Sequence, residues 1–277
     1  MKRVFHLRVR SRNISCAPLK QLEFDKRVIY RMGSVTPTNQ ITKRKDYIEI
    51  NTAEACAISG NKIKMKERFT HGKIATAEWF MLRPKSVEYS NFTKKFFSSK
   101  VNHALTKWKA IIVKRYNSSG GNGIFFIQTP DDFDIFIRHE DFCNEDTNKV
   151  KYYVFERYYT YSREYRIHVT KNGYFLADRK MLIDDAEERW HRHANNSVWI
   201  SEDNPKFDKP TNWNDIVTEC INAMKSVGLD IAAFDVKVQN NKHENPKFII
   251  LESNSAPSLG EQSLEAYKNI LIDIINE

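Results

Sequence analysis

Short alternations of apolar and polar residues open the chain and predict a small lobe of strands and helices. Runs rich in β-branched and aromatic residues at positions 4–9, 27–31 and 47–50 predict three strands. Helical spacing of apolar residues follows at 52–59 and again at 61–69. Strands that alternate with helices in this way are typical of an α/β lobe.

A strand, a glycine-rich loop and a second strand follow in the middle of the chain. Apolar residues 109–113 run into Lys114, and a second apolar run at 124–127 follows the loop. The polar and acidic stretch 141–148 predicts a surface loop, and residues 152–155 are again apolar and prone to form a strand.

The last 120 or so residues continue with strands and two helices. We predict a hairpin of strands 164–170 and 174–177, two further strands at 233–238 and 247–252, and helices at 213–227 and 264–275. Gly228 is the expected cap of the first of these helices. With 277 residues and a hydrophobic fraction of 41%, the chain can bury a core in two or three subdomains.

No membrane segment is predicted, and the cysteines indicate a reducing compartment. Uninterrupted apolar runs of about 18 residues are lacking, and the basic start has no apolar stretch of the kind that a secretory signal needs. The cysteines form no CxxC pair and no zinc spacing: Cys16, Cys56, Cys143 and Cys220. We therefore expect a soluble cytoplasmic protein with buried, reduced thiols.

Charge is divided unequally between the two parts of the chain. The net charge is +9, but residues 1–115 carry 26 Lys and Arg against 8 Asp and Glu, which leaves +18 there and −9 in the remainder. Aromatic residues lie among these lysines, for example Trp108 and Tyr116. The basic half predicts an anionic partner, such as a nucleotide, an acidic peptide or nucleic acid; a lysine-rich solvated surface explains it equally well.

The glycine-rich loop has the chemistry of a phosphate site. Glycine lets backbone amides approach phosphate oxygens, and a nearby lysine such as Lys114 adds charge. The loop lacks the order of residues in a P-loop and leads into a strand rather than a helix, so an ordinary hairpin turn also fits it. Its residues are Ser118, Ser119, Gly120, Gly121, Asn122 and Gly123.

Oxygen-bearing side chains near the end of the chain predict a magnesium site. Glu252 and Asn254 are two residues apart at the end of an apolar strand, so both point to one face. Asp235 lies inside another apolar strand, where a carboxylate needs a metal or a cationic partner. Few oxygen ligands suit Mg²⁺, with Mn²⁺ as the alternative ion. A salt bridge from Asp235 to Lys237 or a nearby arginine is the other interpretation.

In this order the motifs resemble the ATP-grasp superfamily, from about residue 51 to residue 258. The segment from Asn61 and Lys62 to 72–77 is similar to the entry motif of ribosomal-protein glutamate ligases and D-alanine:D-alanine ligases, with alanine in place of a usual proline. The resemblance implies an α/β (α+β) fold. It divides the chain into an N-terminal α/β lobe (1–60), a small subdomain with the glycine-rich loop (61–155) and a large subdomain with the metal site (156–277).

The resemblance also implies a role for each matching residue. Nucleotide binding would fall on Lys62, Lys114, the glycine-rich loop, the hinge residues Glu156, Arg157 and Tyr158, and the ribose-binding Glu164. The metal residues would be Asp235, Glu252 and Asn254. Arg166 and Lys180 would neutralise the transferred phosphoryl group, and we expect Arg192 and Asn195 to contact substrate.

The activity implied is that of an ATP-dependent carboxylate–amine ligase that works through an acyl phosphate. Its cofactors would be ATP and magnesium, and its acceptor a peptide, a protein or another anionic molecule. Two departures leave the substrate open: the N-terminal lobe is short, and the residues between Glu156 and Glu164 are rich in tyrosine where glycine is common. A nucleic-acid-binding protein and an ATP-grasp kinase that phosphorylates a hydroxyl remain alternatives.

Overall fold

Three β-sheets and six α-helices make up the described part of the computed structural model. It describes residues 5–9, 15–37, 47–82, 91–118, 123–138, 152–193, 195–240 and 242–277, with only the backbone of 91–95. Loop residues Ser119 to Asn122, the predicted loop 141–148 and Cys143 lie outside these residues.

The N-terminal lobe holds the predicted three strands as a parallel sheet in the order β1-β2-β3. These strands are β1 (Phe5–Val9), β2 (Arg27–Met32) and β3 (Tyr47–Ile50). A short 3₁₀ helix, Ala17–Gln21, lies between the first two strands. Parallel neighbours require such a crossover, because a tight hairpin cannot join them.

Two predicted helices follow, and both begin at side-chain caps. The Thr52 hydroxyl accepts from the Ala55 N–H to start α1 (Ala53–Ser59). The Asn61 side chain accepts from two N–H groups to start α2 (Lys62–His71). Their apolar residues pack in the core of the five-stranded sheet described below, and not with the four-stranded sheet. The domain boundaries at 60 and 155 remain predictions.

A four-stranded antiparallel sheet lies in the middle of the chain. Its order is β4 (Trp79–Leu82), β7 (Tyr153–Arg157), β5 (Ile111–Arg115) and β6 (Ile124–Ile127). Helices α3 (Asn91–Trp108) and α4 (Pro130–Arg138) pack on it. The sequence analysis predicted β5, β6 and β7 but not β4 or the two helices.

A five-stranded antiparallel sheet is the largest element of the fold, in the order β10-β9-β8-β11-β12. The strands are β8 (Arg163–Thr170), β9 (Gly173–Leu182), β10 (Ser197–Ser201), β11 (Ala232–Val238) and β12 (Phe248–Asn254). Helix α5 (Trp213–Val227) packs on one face and ends at Gly228, whose φ of 76° is the left-handed conformation of a helix cap. All except β10 were predicted.

The last helix, α6 (Glu261–Asn276), completes the core of the N-terminal lobe. Its Tyr267, Leu271 and Ile275 are buried among residues of β1 and β2. Asn51, fully buried and with φ of 60°, joins the lobe to the start of β11. Its Nδ2 donates to the Ile231 carbonyl at 2.9 Å, and its Oδ1 accepts from the Asp230 N–H at 2.8 Å.

Two further expectations concern thiols and membranes. Cys16, Cys56 and Cys220 are buried free thiols, as predicted. Among the described residues, none of the helices has the length and apolar character needed to cross a bilayer.

Candidate active site

One face of the five-stranded sheet is apolar and the other is charged. Residues such as Tyr165, Phe234 and Val236 point into the core against α2 and α5. On the opposite face, strand register places two rows of polar side chains side by side, because directly paired residues point to the same face. The first row is Glu252, Asp235, Arg166 and Asp178; the second is Lys237, Glu164, Lys180 and Trp199.

Asp235 and Arg166 form a bidentate pair in the first row. The arginine Nε donates to Oδ1 at 2.7 Å and Nη2 donates to Oδ2 at 2.8 Å. Asp235 is 8% exposed, so burial raises the pKa of its carboxyl while the arginine opposes that shift. Asp235 is thus paired with an arginine, one of the two salt-bridge partners suggested by the sequence. Among the described residues, the other suggested partner, Lys237, forms no ion pair with Asp235.

The residues assigned to magnesium have a donor set that suits a hard cation. Glu252 is paired with Asp235 in register, and its Oε2 lies 3.5 Å from Lys62 Nζ. Burial alone would raise the pKa of Glu252, but Lys62, Lys114 and Arg166 outweigh it and lower the pKa to about 2. The buried Nδ2 of Asn254 has no partner among the described residues. Two ionised carboxylates and one amide oxygen fit Mg²⁺, which takes few protein ligands.

Each of these carboxylates faces a basic side chain, so a cation would compete with Arg166 and Lys62 for them. In the described part of the chain, three or more acidic, histidine or cysteine side chains do not cluster in a metal-binding arrangement. The described residues therefore do not form a closed structural metal site, and the assignment of Asp235, Glu252 and Asn254 to magnesium stays a prediction.

Two lysines and one glutamate form a buried triad between the four-stranded sheet, which carries Lys114 and Glu156, and helix α2, which carries Lys66. Lys114 Nζ donates to Glu156 Oε2 at 2.9 Å, and Lys66 Nζ lies 3.5 Å from Oε1. Burial would raise the pKa of Glu156, which is 2% exposed, but the two lysines lower it. Burial lowers the pKa of Lys66 to about 8. The carboxylate of Glu156 thus binds lysines, and its assigned contact with adenine stays a prediction.

Lys66 was missed by the sequence analysis. It follows Lys62 by one helical turn, so both lysines lie on the same side of α2. Lys66 also donates to the Thr76 hydroxyl at 2.6 Å. The spacing of four residues from an assigned lysine was the available signal.

Ser118, at the start of the glycine-rich loop, lies close to Lys62, and Gly123, at the other described end, lies close to Arg115. Lys62 Nζ donates to the Ser118 carbonyl at 2.6 Å. Gly123 has φ of 69°, and a Cβ there would come within 2.8 Å of the Arg115 side chain. Only glycine fits this position without strain. Lys62 therefore bridges Ser118 and Glu252, and its assigned contact with a nucleotide stays a prediction.

The hinge residues after Glu156 face different surroundings. Arg157 Nη1 pairs with Glu78 at 3.0 Å on the outer side, where it is partly exposed. The Tyr158 ring packs edge-on against Phe126, and Phe126 stacks on Trp190 with 5.0 Å between ring centroids. Arg157 lies apart from the charged face, and Tyr158 belongs to an aromatic cluster with Phe126 and Trp190.

Glu164 brings together the second group of predicted residues. Arg192 Nη1 lies 3.3 Å from Glu164 Oε2, and Lys180 Nζ lies 4.0 Å from Oε1. Lys180 also donates to the Arg192 carbonyl at 2.6 Å, so both cations converge on one carboxylate. Trp199, which the sequence analysis did not identify, packs under Arg166 at 4.7 Å and under Lys180 at 5.3 Å.

Asn195 is exposed, and the structure gives its neighbour Asn196 the structural role in this loop. The buried Asn196 accepts from the His193 N–H at 2.8 Å and donates to the His191 carbonyl at 2.8 Å. The assigned contact of Asn195 with a substrate stays a prediction.

The fold, with this site on it, is similar to those of several solved ligases. D-alanine–D-alanine ligase from Bacillus anthracis superposes with a TM-score of 0.62 at 13% identity, over 99% of this chain and 93% of that chain. Its complex with ATP superposes with a TM-score of 0.60 at 11% identity, over 98% and 91%.

Two further ligases superpose on most of the chain. VanG D-Ala:D-Ser ligase from Enterococcus faecalis gives a TM-score of 0.63 at 10% identity, over 89% of this chain and 72% of that chain. The ATP-grasp ligase PsnB, complexed with a minimal precursor, gives 0.55 at 12%, over 89% and 78%. No family model matches the chain, and no curated protein matches its sequence. The structural likeness confirms that this chain has the predicted α+β ATP-grasp fold.

Proposed function

We propose that this protein is an ATP-dependent ligase that activates a carboxylate as an acyl phosphate and joins it to an amine. The observation that carries the proposal is the meeting of charged residues from two sheets in one site. Lys62 reaches Glu252 on the large sheet at 3.5 Å, while Lys114 on the small sheet adds charge to the same region. The ATP-grasp ligases that share the fold support this reading.

Lys62 and Lys114 bind the phosphates of ATP in this proposal. Both are mostly buried, and both contribute positive charge at Glu252, so a polyphosphate placed there meets little solvent screening. The solved neighbour in complex with ATP supports this nucleotide. Asp235, Glu252 and Asn254 hold magnesium, which supplies charge neutralisation for the phosphates.

Arg166 and Lys180 stabilise the transferred phosphoryl group. A carboxylate oxygen of the substrate attacks the terminal phosphorus, and the bond to ADP breaks. The amine then attacks the acyl carbon, phosphate leaves, and the amine loses a proton. Arg166 and Lys180 are held on one side by carboxylates and on the other by Trp199, so both are positioned before charge develops.

The carboxylate or amine substrate is anionic in this proposal, with an amino acid and a peptide or protein acceptor as the favoured pair. The excess of +18 in residues 1–115 is far greater than two phosphate-binding lysines require. The enzyme acts in the cytoplasm, since its three described cysteines are free thiols and a reducing compartment preserves them.

Release of ADP is the direct test. Purified protein with ATP and Mg²⁺ is screened against amino acids and acidic peptides, and products are analysed by mass. We expect ADP, phosphate and an amide in equal amounts. A phosphorylated hydroxyl product would show a kinase instead. Binding of single-stranded DNA without ADP release in any mixture would favour the nucleic-acid-binding alternative.

Lys114→Met provides the matched variant, and Lys107→Met is its control. Lys114 is buried, whereas Lys107 is exposed and pairs with Glu78 on the surface. Loss of a charge-assisted phosphate contact should weaken ATP binding by about 1–3 kcal/mol in the first variant and leave the second unchanged. Equal ATP affinity in both variants and the wild type would remove Lys114 from the site.

A further inference from the structure

Lys237 is a buried lysine whose ammonium is poorly satisfied. It lies on the charged face in β11 and is 8% exposed. Its Nζ reaches one acceptor among the described residues, the Tyr159 carbonyl, at 3.5 Å. An ammonium group has three donors, and normal N–H···O distances are about 2.7–3.2 Å, so this single long contact leaves donor capacity unused.

This burial of the Lys237 ammonium destabilises the folded protein when no ligand is bound. Burying a charge without a close partner is unfavourable, and a methionine of similar length would avoid that cost. No carboxylate of the described residues forms an ion pair with Lys237, although Glu164 is its direct partner in β8. The free donors therefore indicate a ligand that brings an acceptor.

The surroundings of Lys237 indicate which part of a nucleotide would supply the hydrogen-bond acceptor. Its Nζ lies 5.0 Å from the centroid of the Tyr158 ring. Tyr158 in turn packs against Phe126, which stacks on Trp190. A cation beside a cluster of flat aromatic rings complements a flat heteroaromatic ring that carries nitrogen acceptors, such as a purine.

The position along β11 separates Lys237 from the phosphate end of the site. Lys237 and Asp235 are two residues apart on the same face, which corresponds to about 7 Å along the strand. Asp235 lies beside Glu252, toward Lys62 and the glycine-rich loop. Lys237 instead lies beside the hinge residues Tyr158 and Tyr159.

We propose that Lys237 recognises the base of the bound nucleotide by donating a hydrogen bond to a ring nitrogen of the purine. This inference rests on the proposed ATP-dependent function. It assigns Lys237 to base recognition, and Lys62 and Lys114 to the phosphates. The protein retains an ill-satisfied buried charge because the nucleotide supplies its missing acceptor.

Competition binding separates base recognition from phosphate binding. A fluorescent ATP analogue is bound to wild type, to Lys237→Met and to Lys114→Met. Adenosine or inorganic tripolyphosphate is then added, and the affinity of each competitor is measured from displacement of the analogue. We expect Lys237→Met to lose about tenfold or more in adenosine affinity, the effect of one charge-assisted hydrogen bond, and less than about twofold for tripolyphosphate. Lys114→Met should show the opposite pattern. Lys242→Met, at an exposed lysine beyond β11, is the control and should bind as wild type.

Thermal unfolding gives a second readout that does not depend on measuring weak adenosine binding. Without nucleotide, Lys237→Met should unfold at a higher temperature than wild type, because the buried charge is removed. Saturating ATP should raise the unfolding temperature less in this variant than in wild type. Failure of Lys237→Met to fold would show that the Lys237 ammonium is not an unsatisfied charge in the nucleotide-free protein.

The outcomes are distinct. The inference is overturned, and the proposed function left intact, if wild type binds ATP and the adenosine affinity of Lys237→Met is within about twofold of the wild-type value. Loss of tripolyphosphate affinity in Lys237→Met assigns the residue to the phosphates and also overturns base recognition. Wild type that binds neither adenosine nor ATP refutes the proposed function, and the inference with it.

Discussion

Arg166 on β8 lies directly opposite Asp235 on β11, and its guanidinium holds both carboxylate oxygens at 2.7 and 2.8 Å. The same oxygens are the ones that a magnesium ion would need. If Asp235 holds magnesium as proposed, the cation would compete with the arginine for these oxygens, and its binding would release the guanidinium toward the phosphoryl group.

Replacement of this arginine should make the protein dependent on the cation for stability. In Arg166→Met, Asp235 is left as a buried carboxylate without its partner, which costs about 3–5 kcal/mol for a fully buried pair and less here, because Arg166 is partly exposed. Thermal unfolding in EDTA should show a lowered unfolding temperature. Mg²⁺ or Mn²⁺ should restore more stability in the variant than it adds to wild type.

The double variant Arg166→Met with Asp235→Asn is the control. It has no charge to compensate at this position, so the divalent cation should stabilise it no more than wild type. An equal effect of the cation on Arg166→Met and on wild type would contradict the competition.

Asp235 and Glu252 of the first row should be indispensable for turnover. Asp235→Asn and Glu252→Gln keep the shape of each side chain but remove the charges proposed to hold magnesium, so ATP turnover should be abolished with the fold intact. Steady-state ADP release and circular dichroism measure the two properties. Asp215→Asn, at an exposed position in α5, is the control and should retain activity. Near-normal turnover in either folded variant would refute the metal assignment.

Acid stability should depend on His168. Burial lowers the pKa of this histidine to about 3, with Arg166 adding to the shift, and its Nδ1 lies 3.0 Å from the Tyr267 hydroxyl. Between its ordinary pKa of about 6.5 and about 3, the unfolded chain binds a proton that the folded protein does not, so stability falls as pH falls. The slope from this one group approaches about 1.4 kcal/mol per pH unit.

Urea unfolding at a series of pH values tests that dependence. His168→Gln removes the titration and should flatten the decline between about pH 6.5 and pH 4 relative to wild type. His243→Gln, at an exposed position, is the control and should follow wild type. Parallel pH curves for wild type and His168→Gln would show that other groups govern acid unfolding.

Substrate capture should depend on salt if the basic half steers an anionic substrate. The apparent second-order rate should fall steeply from low to moderate salt, since the Debye length is about 8 Å at physiological ionic strength. ATP affinity at the more enclosed lysines should change less. Charge reversal of the exposed Lys64, Lys73 and Lys100 should lower the same rate without changing ATP hydrolysis in the absence of substrate. A rate that is insensitive to both salt and these reversals would make the basic half a solubilising surface.

Regular strands and capped helices were predictable from local pattern. The prediction for β6 matched the observed strand, and that for α5 matched as far as its glycine cap, because apolar periodicity and the turn residue agree there. Helix α3 was missed because its lysines and aromatic residues give only a weak apolar stripe. The short edge strands β4 and β10 were also missed.

The sequence predicted that a charged residue in an apolar strand needs a partner, but it did not predict which partner the residue meets. A carboxylate inside the apolar strand around Asp235 drew attention without any structure, since such a charge needs a partner. Which partner it meets depends on the register between β8 and β11, which are separated by more than sixty residues. Trp199 was missed for the same reason, and Lys237 was considered only as a partner of Asp235, because the neighbours of each residue are supplied by the fold.

The shared core of the N-terminal lobe and α6 has a consequence for folding during synthesis. Buried Leu19 and Val28 require Tyr267 and Leu271, which the ribosome adds about 240 residues later. Contacts of such high sequence separation form slowly, since a long loop must close before they contribute. The core around Leu19 and Val28 can therefore close only after α6 has been synthesised, so formation of this lobe is coupled to the folding of a helix about 240 residues further along the chain.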